Sequence, residues 1–84
     1  MNKVSMAARR AVNLTATGTI AGPCQMVGFY VNSTAGGNFT IKDGATTITG
    51  TITPAIGWHF FPYEFNTSAV FTIASTINMT VLVA

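Results

Sequence analysis

An all-β domain is predicted by three features of the chain: apolar and polar residues alternate, turn residues recur about every eight to twelve positions, and no helical spacing is sustained. The pattern fits a single small antiparallel β-sandwich, jelly-roll-like, with about eight short strands. The 84 residues are 49% hydrophobic, 11% aromatic and only 7% charged, with mean hydropathy +0.47. Such a chain is too apolar for disorder and long enough for one core, so residues 11–84 read as one domain behind a basic N-terminal arm, residues 1–10.

A first strand fits residues 10–17, with Val12, Leu14 and Ala16 on one face and Asn13, Thr15 and Thr17 on the other. Gly22-Pro23 breaks it. Residues 24–32 are apolar on both faces, as in a central strand, and Gly28 within them marks a bulge or a close backbone approach. Residues 33–37 (Ser-Thr-Ala-Gly-Gly) read as a turn, after which Phe39 and Ile41 alternate with Asn38, Thr40 and Lys42. Asp43-Gly44 is the strongest hairpin signal, because both residues tolerate the positive φ that tight turns require.

A Thr-rich strand follows over 46–53, with Ile48 and Ile52 on one face. Pro54 and Gly57 bracket a turn. The aromatic stretch Trp58-His59-Phe60-Phe61-Pro62-Tyr63-Glu64-Phe65 reads as a strand, and Pro62, lacking an N–H, places it at an edge or bulge. Residues 69–74 and 77–83 close the pattern as a hairpin around Ser75-Thr76, with Ile77, Met79, Val81 and Val83 on one face.

Charge narrows the functional classes. Lys3, Arg9 and Arg10 are three of the four basic residues, and beyond them only Lys42, Asp43 and Glu64 are ionised. Phosphate binding needs several converging cations, so a nucleic-acid face is not expected. No apolar run approaches the roughly 18 residues of a membrane helix. Residues 11–17 alternate with polar side chains where a secretion signal would be continuously apolar. Five Asn-x-Ser/Thr triplets, at Asn13, Asn32, Asn38, Asn66 and Asn78, read as the chance product of a chain rich in Thr and Asn.

Catalytic inventory is thin. Asp43 is explained by its turn, and one His with one Cys provides no metal set, so neither an enzyme nor a cofactor is expected. His59 amid aromatics reads as a packed or interfacial residue, and Cys24 as a small apolar filler. The aromatic stretch has two compatible readings, core and contact surface, because period two serves both faces. Sugar stacking on Trp58 or Tyr63, with Glu64 and Asn66 accepting hydrogen bonds, is a further one. A domain this small is marginal alone and has few charges to guard its edge strands, so self-association is expected, with a trimer the leading form.

Gly28-Phe29-Tyr30-Val31-Asn32-Ser33-Thr34, then Lys42-Asp43-Gly44, then residues 50–59 (Gly-Thr-Ile-Thr-Pro-Ala-Ile-Gly-Trp-His) and a final hairpin resemble small virion-associated proteins of tailed bacteriophages, over residues 12–84. The resemblance implies a decoration, or cement, protein: a β-sandwich homotrimer on the outer capsid surface of the virion, bridging neighbouring units of the major capsid protein. It defines no ligand residues. On that reading Lys3, Arg9 and Arg10 are the expected capsid contacts, and Phe29, Trp58, His59 and Tyr63 the expected subunit interface. The competing expectation is a tail-fibre or receptor-binding module that uses the aromatic stretch on a glycan.

Overall fold

A computed structural model describes residues 10–84, which form one antiparallel sheet of six strands with no helix among the described residues. The strands are β1 (Arg10–Leu14), β2 (Gly18–Ala21), β3 (Cys24–Asp43), β4 (Thr46–Thr47), β5 (Gly57–Phe65) and β6 (Ser68–Val83). The two long strands make the frame. β3 and β6 pair from Met26↔Val83 at one end to Asp43↔Ala69 at the other.

Short strands flank this ribbon at both ends. β1 lies beside the later part of β6 and β5 beside the earlier part of β3, giving the order β1-β6-β3-β5. At the opposite end β2 pairs with the start of β6 and β4 with the end of β3, giving β2-β6-β3-β4.

A straight strand of 20 residues would reach about 66 Å at roughly 3.3 Å per residue. The longest dimension of the molecule is 40 Å. The ribbon is therefore bent. Gly36 and Ser75 stand on β3 and β6 beside the shared partner Thr76, and both have positive φ, 70° and 65°. The pairing register slips between Val31 and Ser33 and again between Ala35 and Gly36, which gives the bend its slack. Gly37 is packed against the bend so closely that a Cβ there would lie 2.4 Å from the Thr76 carbonyl oxygen.

Bending brings the inner faces of the two ends together. Phe29, Val31, Met79, Val81 and Val83 of one end share a core cluster with Phe39, Ile41 and Phe71 of the other, each 2% exposed or less. Phe39 sits between Phe29, 5.3 Å away by ring centroid, and Phe71, 5.9 Å away.

Several expected elements are present. β3 bulges between Met26 and Gly28, the chain turns directly after Asp43, at Gly44-Ala45 with Gly44 at φ 59° and Asp43 still paired to Thr46, and β5 with Pro62 is an edge strand paired only to β3 among the described residues. Gly22-Pro23, a cis peptide, separates β2 from β3.

Others differ. Among the described residues the strands number six, where about eight were expected, because residues 33–37 and 75–76 are bends within β3 and β6 and not turns between strands. The first strand stops at Leu14 and a separate β2 follows. Of the expected strand 46–53, only β4 and an isolated bridge from Ile52 to Phe39 are formed. Between them the Ile41 carbonyl accepts the amides of both Ile48 (2.9 Å) and Thr49 (3.2 Å), and the Thr49 hydroxyl accepts the Ile41 amide (3.1 Å). A threonine side chain has taken a backbone group that a regular ladder would need.

Candidate functional site

Residues paired across neighbouring antiparallel strands point to the same face. One row across the sheet runs Asn13, Thr80, Tyr30, Trp58, and the next runs Ala11, Leu82, Gly28, Phe60. Between them Val12, Val81, Phe29 and His59 point the other way, toward the core. The outer face at this end of the sheet therefore carries Tyr30, Trp58 and Phe60, exposed at 46%, 43% and 56%. All three large aromatic groups stand together.

The indole of Trp58 lies across the sheet over Gly28. A Cβ at position 28 would come within 2.7 Å of the six-membered ring and 2.3 Å of the His59 carbonyl oxygen. Only a residue without a side chain lets the ring come this close to the strand. The bulge beside Gly28 sets the alignment that puts Phe60 opposite it.

Next to the aromatics stands a ladder of amides. Asn78 Oδ1 accepts hydrogen bonds from Asn13 Nδ2 (2.8 Å) and Asn32 Nδ2 (3.1 Å), and Thr80 Oγ1 accepts from both as well (3.4 and 3.1 Å). Asn13 Nδ2 also donates to the Met79 carbonyl, 3.1 Å. The ladder fixes the amide planes. It leaves Asn13 Oδ1, Asn32 Oδ1 and Asn78 Nδ2 without a partner among the described residues. Neither outer row contains an ionised side chain.

Of the residues expected at a subunit interface, only Trp58 has its ring on this face. Phe29 is 2% exposed and stacks on His59 at 5.1 Å, so its surface is spent inside the chain. His59 Nε2 donates to the Ala55 carbonyl at 2.8 Å, pinning the loop before β5. Tyr63 points inward and meets Phe65 edge-on at 4.8 Å. Trp58 and Tyr63 thus lie on opposite faces of β5 and cannot stack on one sugar. Arg10 is exposed at the start of β1, whereas Lys3 and Arg9 lie outside the described residues.

The titratable groups serve the fold. Asp43 is buried, and its carboxylate accepts the amides of Asn66 (2.9 Å), Thr67 (2.8 Å) and Ser68 (3.3 Å), while the Gly44 amide reaches the Ser68 carbonyl (3.0 Å). Asp43 therefore clasps the turn between β5 and β6 to its own hairpin. The amides of Asn66 and Thr67 hold its carboxyl below the usual carboxylate range, outweighing the opposing effect of burial. Burial pushes the Cys24 thiol up, away from the reactive thiolate form. Glu64 is exposed and accepts from Gln25 Nε2 at 3.5 Å. No cluster of three or more His, Cys, Asp or Glu able to hold a metal ion occurs among the described residues.

The outer aromatic face and its amide ladder were missed as a unit by sequence reasoning, although Asn13, Asn32 and Asn78 each open one of the Asn-x-Ser/Thr triplets. The signal available was that Asn13, Tyr30, Asn32, Trp58 and Phe60 occupy the faces opposite the strongest core residues. Compared with known protein families, curated proteins and solved structures, the chain matches none.

Proposed function

We propose that this chain is a structural protein of a virion, a capsid decoration protein that binds the outer shell as a homotrimer and stabilises it. We read the bent sheet as a small two-layer sandwich built to be covered by neighbours. The open margins of the β1-β6-β3-β5 end support this most directly. β5 presents an edge of nine residues with Glu64 as its only charge, and β1 presents one with Arg10 as its only charge. Edges this poorly guarded favour pairing with another chain. Side-by-side pairing of β1 from one copy with β5 of the next is head-to-tail, and such contacts close into a ring when the rotation from copy to copy divides a full turn, a third of a turn for a trimer.

A clip of this kind works by mass action. Several weak contacts made at once raise the effective concentration for each further contact, and binding only to the assembled shell stabilises it. The test compares particles made with and without the protein. Complete particles should survive heating and osmotic shock that break those lacking it, and equal survival refutes the reading.

A receptor-binding or tail-fibre module is the second reading, favoured by the outward indole of Trp58. Quantifying the protein in purified particles separates the two: a copy number matching the capsomers supports decoration, and a few copies support the tail.

A further inference from the structure

We propose that the outer face formed by Tyr30, Trp58 and Phe60, with the Asn13, Asn32 and Asn78 ladder beside it, is a binding platform for an uncharged oligosaccharide. The inference does not depend on where the protein sits on a particle, because it rests on the chemistry of this face alone.

The aromatic half supplies the stacking surface. The six-membered ring of Trp58 reaches over Gly28 and the residue remains 43% exposed, and Tyr30 and Phe60 widen the surface on β3 and β5. The face of an aromatic ring is electronegative, and the C–H side of a sugar ring is weakly electropositive, so the two stack.

The amide half distinguishes a sugar from a protein partner. Among the described residues Asn13 Oδ1 and Asn32 Oδ1 are free acceptors and Asn78 Nδ2 a free donor, all held in place by the ladder. A sugar hydroxyl both donates and accepts, so a row of hydroxyls satisfies both kinds of group. An apolar protein surface laid on the same face would bury these groups unpaired, which is costly.

Charge selects a neutral ligand. The two rows offer no cation to an acidic sugar and no anion to a basic one. Four strands at about 4.8 Å spacing make the platform about 14 Å across, wider than one sugar ring, so an oligosaccharide fits it better than a monosaccharide.

Trp58 is the only tryptophan, so its fluorescence reports on the face directly. Titrating the full chain with maltohexaose, cellohexaose and chitohexaose should give a saturable change with at least one of them. Calorimetry should then show at least tenfold weaker binding for Phe60→Ala and for Asn78→Ala, and no change for Thr72→Ala at the other end of the sheet. Circular dichroism confirms that each variant is folded. The proposal is overturned if none of the three sugars binds, if only dextran sulfate binds, or if both variants bind as tightly as the parent. It is equally overturned if sedimentation shows the face holding two copies together, with Phe60→Ala releasing them. Particle stability and copy number do not bear on any of these outcomes.

Discussion

The rings of Phe29 and Phe39 meet edge-on with centroids 5.3 Å apart and planes at 86°, although both residues belong to β3. Ten positions along a straight strand would separate them by about 33 Å. Their contact exists only because the ribbon bends at Gly36 and Ser75, so the core and the bend stabilise each other.

Phe39→Ala should remove the centre of the core. Phe39 is fully buried and touches rings from both ends of the sheet. A loss of about 3–5 kcal/mol is expected, read as a fall in the urea midpoint. Phe60→Ala, on the exposed face, should change stability by no more than about 0.5 kcal/mol.

Acid should weaken the fold through Asp43. Its carboxyl titrates below the unfolded value of about 3.9, so folding favours the ionised form. The stability this supplies is fully present above about pH 4 and is lost as pH falls through the depressed folded value. The chain has only two acidic side chains, and the other, Glu64, is exposed. Thermal melts between neutral pH and strong acid should show Tm falling below about pH 4. Asp43→Asn should melt lower at neutral pH and depend less on acid.

Backbone freedom at the bend is testable at two positions. Ser75 has φ 65°, which a β-branched residue tolerates poorly, so Ser75→Val should cost about 1–2 kcal/mol while Ser75→Gly costs nothing. Gly37→Ala should also destabilise, because its Cβ would lie 2.4 Å from backbone oxygen that has little room to move. Denaturant melts of the three variants check the order.

Gly28→Ala should disturb both the core side and the outer face of β5. The new methyl would meet the His59 carbonyl at 2.3 Å and the Trp58 ring at 2.7 Å, forcing the strand and the indole outward. A loss of about 1–3 kcal/mol is expected, together with a red shift of Trp58 fluorescence as the ring leaves the sheet.

Local signals were the legible ones. Gly44 announced the hairpin through φ tolerance, Gly28 its bulge through a missing side chain, and Pro62 its edge through a missing donor. The bend was not legible, because Ser33 to Gly37 and Ser75-Thr76 have turn composition whether a strand ends there or bends. Only the partner strand decides, and here each stretch continues its ladder on the other. The placement of Trp58 outside and Tyr63 inside was likewise open, since period two puts the two on opposite faces but which of them faces out follows only from the β5 register. Asp43 was legible as a turn residue, but its clasp on residues 66–68 joins positions more than twenty apart and leaves no local trace.

The central place of β6 has a kinetic consequence. β1 and β2 precede the other strands in the chain, yet among the described residues both pair only with β6, some fifty or more positions later. During synthesis both must wait, with open hydrogen-bonding groups, until residues 68–83 have emerged. Assembly of the sheet is therefore dominated by distant pairings, which makes it slow. In that interval the nascent chain is most exposed to aggregation, and a chaperone's protection would matter most.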